Sequence, residues 1–197
     1  MRVSIIAGSP RKSSNTLRVA KAIANEFSRA HGITPRLVDF AYYDIPLMAQ
    51  GEITAASILT PFQKELIEAM DDADLVFILS PEYNWMPSAE IINMVHQLAT
   101  NDFRRIFENK VYAMAGVSNG RGGKIPAIQL SYVINKLLNV FHTETSFVSA
   151  KTFESQFTHD VLDENGNSMG NAVYDKGLQA FVTYAVNVSR RWFGVKG

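Results

Sequence analysis

Val3-Ser4-Ile5-Ile6-Ala7-Gly8-Ser9-Pro10-Arg11-Lys12-Ser13-Ser14-Asn15-Thr16 joins an apolar run to a polar, turn-forming stretch, and its reading decides the fold. Val3 to Ala7 is apolar almost without interruption, the pattern of a strand covered on both faces, and Gly8 and Pro10 end it. Beyond the turn, Leu17, Val19, Ala20, Ile23, Ala24 and Phe27 recur at helical spacing. Ser13, Ser14 and Asn15 offer caps before that helix, and Gly32 stops it. The unit is a buried strand, a polar turn and a helix.

The same alternation continues along the chain. Thr34 to Phe40 has the character of a second strand, followed by a surface connection marked by Asp44-Ile45-Pro46 and Gly51. Pro61 suits a first helical turn, and Phe62, Leu66, Ile67 and Met70 form an apolar stripe ahead of Asp71-Asp72. Leu75 to Leu79 predicts a third strand, Ser88 to Leu98 a helix, Val111 to Val117 a fourth strand, and Ile125 to Leu138 a helix. Thr143 to Val148 supplies a fifth strand, Phe153 to Asn171 reads as a polar insertion, and Val173 to Phe193 as a closing amphipathic helix. Five β runs separated by helices predict an α/β doubly wound sheet of five parallel strands with helices on both faces. One domain over residues 1–197 is expected, and ligands of such sheets bind beyond the carboxyl ends of the strands.

Bulk composition narrows the function. Nineteen basic residues balance nineteen acidic ones, so no overall cationic surface is available for nucleic acid. The chain has no cysteine, which removes disulfides, thiolate nucleophiles and iron–sulfur clusters; redox chemistry would have to belong to a bound cofactor. Met1 to Ala7 is too short for a signal-peptide core, and no segment approaches the roughly 20 apolar residues that span a bilayer. A soluble, cytoplasmic protein without membrane partners is expected.

Three turns on one rim of the predicted sheet carry the candidate chemistry. In the first, backbone N–H groups and a helix dipole converge on the tip, where an anion is expected. Ser9, Ser13, Ser14 and Thr16 add hydroxyls, Asn15 an amide and Arg11 a guanidinium able to hold two phosphate oxygens. The turn lacks both the Gly-x-x-x-x-Gly-Lys-Ser/Thr of a triphosphate site and the Gly-x-Gly-x-x-Gly of a dinucleotide site, so one terminal phosphate fits best. Helix capping by Ser and Asn beside a solvated Arg11 is the plainer alternative.

In the second turn, Pro81-Glu82-Tyr83-Asn84-Trp85-Met86-Pro87, two prolines bound a short extended segment whose main-chain groups can face a flat heterocycle. Tyr83 and Trp85 offer aromatic surface, although such loops are often only packed turns. Ser118-Asn119-Gly120-Arg121-Gly122-Gly123, the third, permits positive φ and close backbone approach to a bound group. Elsewhere His31, His96, His142 and His159 are scattered without ligand spacing, so no metal site is expected. Asp71, Asp72 and Asp74 read as a solvated corner. Met86, Met94 and Met114 read as packing residues.

Taken together, Gly8-Ser9-x-Arg11 with Ser14 and Thr16, Pro81-Glu82-Tyr83-Asn84 with Pro87 and Asn93, and Gly120-x-Gly122-Gly123 resemble the NAD(P)H-dependent FMN reductase family, to about residue 150. The resemblance implies a flavodoxin-like sheet in the order 2-1-3-4-5. It also implies FMN as cofactor, NADPH or NADH as co-substrate, and a small electron acceptor such as a quinone, azo compound, metal ion or free flavin. Ser9, Arg11, Ser14, Asn15 and Thr16 would hold the phosphate, Pro81, Glu82, Tyr83 and Asn84 border the isoalloxazine, and Ser118, Gly120, Gly122 and Gly123 approach its other edge. No side chain is expected to be catalytic, since flavin N5 carries the chemistry. Ile91-Ile92-Asn93 with His96 departs from the family's usual Leu-Lys-Asn and later Asp, and Trp85-Met86 is bulkier than usual. A homodimer, or beyond it a tetramer, is implied, with Trp85, Met86 and Met94 expected to cluster near the ring. The competing expectations are an electron carrier of flavodoxin type and an FMN-binding module without turnover; balanced charge disfavours the carrier.

Overall fold

Strand β1 (Val3–Ala7) runs down the middle of the molecule in a computed structural model that describes residues 1–194. Parallel to it run β2 (Arg36–Asp39) on one side and β3 (Leu75–Pro81) on the other, with β4 (Val111–Val117) beyond β3. Two short strands, β5 (Phe147–Val148) and β6 (Phe153–Ser155), complete the sheet, whose order is β2-β1-β3-β4-β5 with β6 also on β4. The expected order 2-1-3-4-5 is observed, with one difference at the edge. The fifth position is shared: β5 pairs with Val111-Tyr112 at the start of β4, and β6 with Ala115 to Val117 at its end. Thr143 to Ser146 is therefore not strand, and the segment after Phe153 is not a pure insertion.

Both faces of the sheet are covered because neighbouring side chains point to opposite sides. Ile6, Val76, Ile78, Tyr112 and Met114 enter one core with α2 (Pro61–Asp72), α3 (Ala89–Leu98) and α4 (Lys124–Val140). Ile5, Ala7, Phe77, Leu79, Ala113 and Ala115 enter the other with α1 (Asn15–His31) and α6 (Ala172–Trp192). In that second core Phe181 of α6 meets Phe77 edge-on and stacks on Phe153, at 5.5 Å in each case. Ser14, among the residues read as caps, accepts from Leu17 N–H, and Thr60 with Gln63, not anticipated from sequence, makes a reciprocal capping box ahead of Pro61. A short helix, α5 (Thr158–Val161), lies within the segment read as an insertion.

The connection after β2 is surface-running but pinned. Asn93 and Gln97, both buried on α3, use their amides to hold it: Asn93 donates to Tyr43 Oη (2.7 Å) and Pro46 O (2.9 Å) and accepts from Met48 N–H. Gln97 donates to Pro46 O and Gly51 O and accepts from Ile53 N–H. Among the described residues no helix is long and apolar enough to cross a membrane.

Candidate cofactor site

At the carboxyl ends of β1, β3 and β4 the three turns enclose a cavity of about 630 Å³, in the usual size range for cofactor sites. Ser9, Arg11, Ser14, Asn15, Thr16, Pro81, Glu82, Tyr83, Asn84 and Ser118 all line it. Gly120, Gly122 and Gly123, expected to border it, are not among the lining residues. Lys12 and Asn119 also face the cavity without having been singled out from sequence. Their signal was position alone, inside turns already marked.

The first turn is built around the start of α1. Ser13 takes φ 51°, turning the chain so that Ser14 caps the helix through Leu17 N–H (3.1 Å). The N–H groups of Asn15 and Thr16 precede the first closed turn and have no carbonyl inside the helix to bond. Thr16 and Ser9 are both 1% exposed, and the Ser9 hydroxyl lies 3.5 Å from Tyr83 Oη. The Arg11 guanidinium sits 4.9 Å over the Tyr83 ring, a cation–π contact that holds its charge at the cavity mouth.

The second turn departs from the extended segment expected. Tyr83 and Met86 exchange both main-chain hydrogen bonds at 3.0 Å, closing a two-residue hairpin. At its tip Asn84 and Trp85 take φ 51° and φ 68°, the left-handed pair that such a turn requires. The amides left for a ligand are thus at the tip, Asn84 and Trp85, rather than along a strand. Trp85 and Met86 are thrown outward, 72% and 54% exposed. Met94, expected beside them, is buried instead, because α3 turns it with Ile91, Val95 and Leu98 toward the sheet. Ser88 Oγ donates to Gly8 O at 2.6 Å and so ties the second turn to the first.

Glu82 has a task the sequence did not disclose. Its carboxylate accepts from Gly123 N–H and lies at the N-terminus of α4, where Gly123 has no side chain to cap with. A carboxylate there answers both the open amide and the positive end of the helix. A Cβ on Gly122, at φ 148°, would overlap that carboxylate, and a Cβ on Gly123, at φ 92°, would press on Gly116 O. Gly120 meets no such neighbour. From the first turn, Asn15 Nδ2 donates to Asn119 Oδ1. Asn93 is not part of the cavity; it anchors the β2–α2 connection.

With the Glu82 carboxylate committed to α4, Arg11 and Lys12 are the charges left to face an incoming group, beside the hydroxyls of the first turn and Asn84 of the hairpin tip. That donor set suits a phosphate-bearing flat molecule. Among the described residues no three His, Cys, Asp or Glu side chains group to hold a metal.

Comparison with known proteins bears on the same residues. An NADPH azoreductase from Bacillus sp. (strain OY1-2) is 27% identical over 201 aligned positions, covering 97% of this chain and 98% of that protein. Among solved structures, the flavoenzyme FerB, an NAD(P)H:(acceptor) oxidoreductase from Paracoccus denitrificans, superposes with a TM-score of 0.73 at 21% identity, covering 96% of this chain and 97% of that one. A flavodoxin from the domain Archaea superposes at 0.57 and 12% identity, covering 98% and 99%. The family model described as NADPH-dependent FMN reductase matches residues 1–154, which hold all three turns. By that match the chain belongs to the NADPH-dependent FMN reductase family.

Proposed function

We propose that this protein is an FMN-dependent NAD(P)H oxidoreductase that reduces a small acceptor in a ping-pong cycle. The observation that carries the reading is the convergence of the α1 N-terminus, Asn84 of the hairpin tip and Ser118-Asn119 of the third turn on one cavity. In this reading Ser9, Arg11, Ser14, Asn15 and Thr16 bind the phosphate, as acceptor-poor groups around a helix start are suited to do. Pro81, Glu82, Tyr83 and Asn84 border the ring, the hairpin-tip amides meeting its polar edge. Ser118, Gly120, Gly122 and Gly123 bound the opposite edge, with Glu82 holding Gly123 in place.

FMN, when bound, supplies the redox chemistry, taking hydride from NAD(P)H and passing electrons to the acceptor. The protein's part is to orient two flat molecules and to surround them with fixed donors. Nicotinamide and acceptor would use the same open face beside Tyr83 and Trp85 in turn. The similarity to an azoreductase supports an azo compound, with quinones of the same flat shape next; the fold it shares with a flavodoxin keeps a carrier role as the alternative outcome.

The reading extends to a homodimer. Gln129 Nε2 lies 3.4 Å from Met86 Sδ, so the exposed Ile125, Ile128 and Tyr132 of α4 continue the apolar surface of Trp85 and Met86 beside the cavity. A monomer in sedimentation would remove that part.

The test is an absorption spectrum after FMN addition and desalting, followed by anaerobic NADPH and NADH. Retained flavin that bleaches with either nucleotide, and recovers on adding an azo compound or a quinone, is the expected result. Retained flavin that stays oxidised would favour the carrier, and no retained flavin would end the proposal.

A further inference from the structure

The third turn is held from behind by residues beyond the family match, which ends at residue 154. Ser118 N–H donates to Ser155 O at 2.8 Å, and Phe157 N–H to Gly120 O at 3.1 Å. Thr158 donates twice to Ser118 O, from its hydroxyl at 3.2 Å and its N–H at 3.4 Å. Ser155 and Thr158 are fully buried, and their hydroxyls are 2.7 Å apart; Tyr174 Oη on α6 is 2.8 Å from Ser155 Oγ.

Each hydroxyl has one proton, which orders the cluster. Thr158 spends its proton on the Ser118 carbonyl, so it accepts from Ser155 Oγ, and Ser155 in turn accepts from the Tyr174 phenol; burial pushes that phenol up to about 12, which keeps its proton in place. The chain of hydroxyls thus runs inward and ends on one peptide unit. That peptide is trans, so its N–H, on Asn119, points opposite to the carbonyl and away from the cluster. On that side Ser118 and Asn119 line the cavity. Among the described residues the Asn119 N–H has no protein acceptor.

The same segment is locked at its far end to the helix that opens the phosphate turn. Arg18 Nη1 donates to Leu162 O (3.1 Å), Lys21 Nζ to Glu164 O (2.8 Å) and Asn25 Nδ2 to Asn165 O (3.2 Å). Gly166 packs so close to α1 that a Cβ there would press on Ala22 N and Arg18 O.

We infer that Thr158, ordered by Ser155 and Tyr174, is a positioning residue that turns the Asn119 N–H toward the bound FMN ring. This rests on the FMN reading above. The hydroxyl chain fixes the peptide through which the third turn meets the flavin, and Asn119 of that peptide also accepts from Asn15 of the phosphate turn.

The test titrates FMN into wild type, Thr158→Val and Thr158→Ser, recording dissociation constants by flavin fluorescence and the visible flavin band at saturation. Thr158→Val keeps shape and loses the hydroxyl; it is expected to bind FMN about tenfold more weakly with a displaced band. Thr158→Ser is expected to restore both to within about twofold. A Thr158→Val protein that melts earlier yet binds FMN like wild type with the same band would overturn the inference, as would a Ser variant that behaves like Val. Should Thr158→Val not fold, Tyr174→Phe is read the same way, an affinity loss of about threefold supporting the chain and wild-type affinity refuting it. Wild type without FMN affinity removes the functional reading as well, whereas unaffected variants of a flavin-binding wild type remove this inference only.

Discussion

The two rims of the sheet are both crowded with polar groups, and they do opposite things with them. At the amino rim, Asp71, Asp72 and Asp74 face Arg2, Arg36, Arg105 and Lys110. Arg105 Nε lies 2.8 Å from Asp71, Arg2 N–H donates to Asp74 at 2.6 Å, and the buried Lys110 ammonium donates to Asp71 O and Ala73 O at the end of α2. Charges of both signs close on one another there, so the corner read from sequence as solvated acid is a paired one. At the carboxyl rim the only carboxylate among the described residues lining the cavity caps α4, and Arg11, Lys12, the hydroxyls and the α1 amides are left over. A ligand site is marked by donors in excess of acceptors, and the density of charged groups alone does not reveal it.

The largest effect is expected where backbone packs on backbone. Gly116 in β4 lies so close to Gly123 that a Cβ would overlap the Gly123 carbonyl. Gly116→Ala should cost about 3 kcal/mol or more and displace the glycine turn, so that thermal unfolding falls and FMN is not retained after desalting. Unchanged melting with retained flavin would show that the carboxyl rim does not depend on that contact.

Next comes the amino rim. Lys110→Met leaves the Asp71 and Ala73 carbonyls without a donor, a loss of about 1–3 kcal/mol near neutral pH, with FMN affinity untouched. The pH dependence has a definite sign. Burial pushes the Lys110 ammonium down to about 8 from 10.5, against the pull of Asp71 and Asp74. Below that range the group is charged in folded and unfolded chains alike; between them the unfolded chain holds the proton that the folded one has released, so stability rises with pH. Urea unfolding should therefore show wild type gaining on Lys110→Met as pH is raised from about 8 toward 10.5. A gap that narrows over that interval would contradict the assignment.

Arg11→Ala sharpens the comparison at the smallest cost to the fold. Its side chain is exposed and lies over the Tyr83 ring, so stability should move by no more than about 0.5 kcal/mol. FMN affinity should fall about tenfold, as for a charge-assisted hydrogen bond to phosphate. Isothermal titration with FMN, and with riboflavin as the phosphate-free control, separates this effect from a change at the ring, because riboflavin binding should not change.

The amino-acid sequence by itself determined most of the elements and the rim on which the candidate cavity lies. Strand β1, helix α1 and its Ser14 cap follow from neighbours within a few residues, where the apolar period and the turn residues speak directly. The three turns were legible for the same reason, since each interrupts a clear strand and the winding of such a sheet sends all three to one edge. What the turns do with their atoms was decided by tertiary structure. The Glu82 carboxylate on Gly123, Met94 in the core, the division of the fifth strand position and the Ser155–Thr158 support of Ser118 all depend on partners tens of residues away. A hydroxyl or a carboxylate carries no sign in sequence of which distant amide will meet it, and packing around β4 made that choice for the third turn.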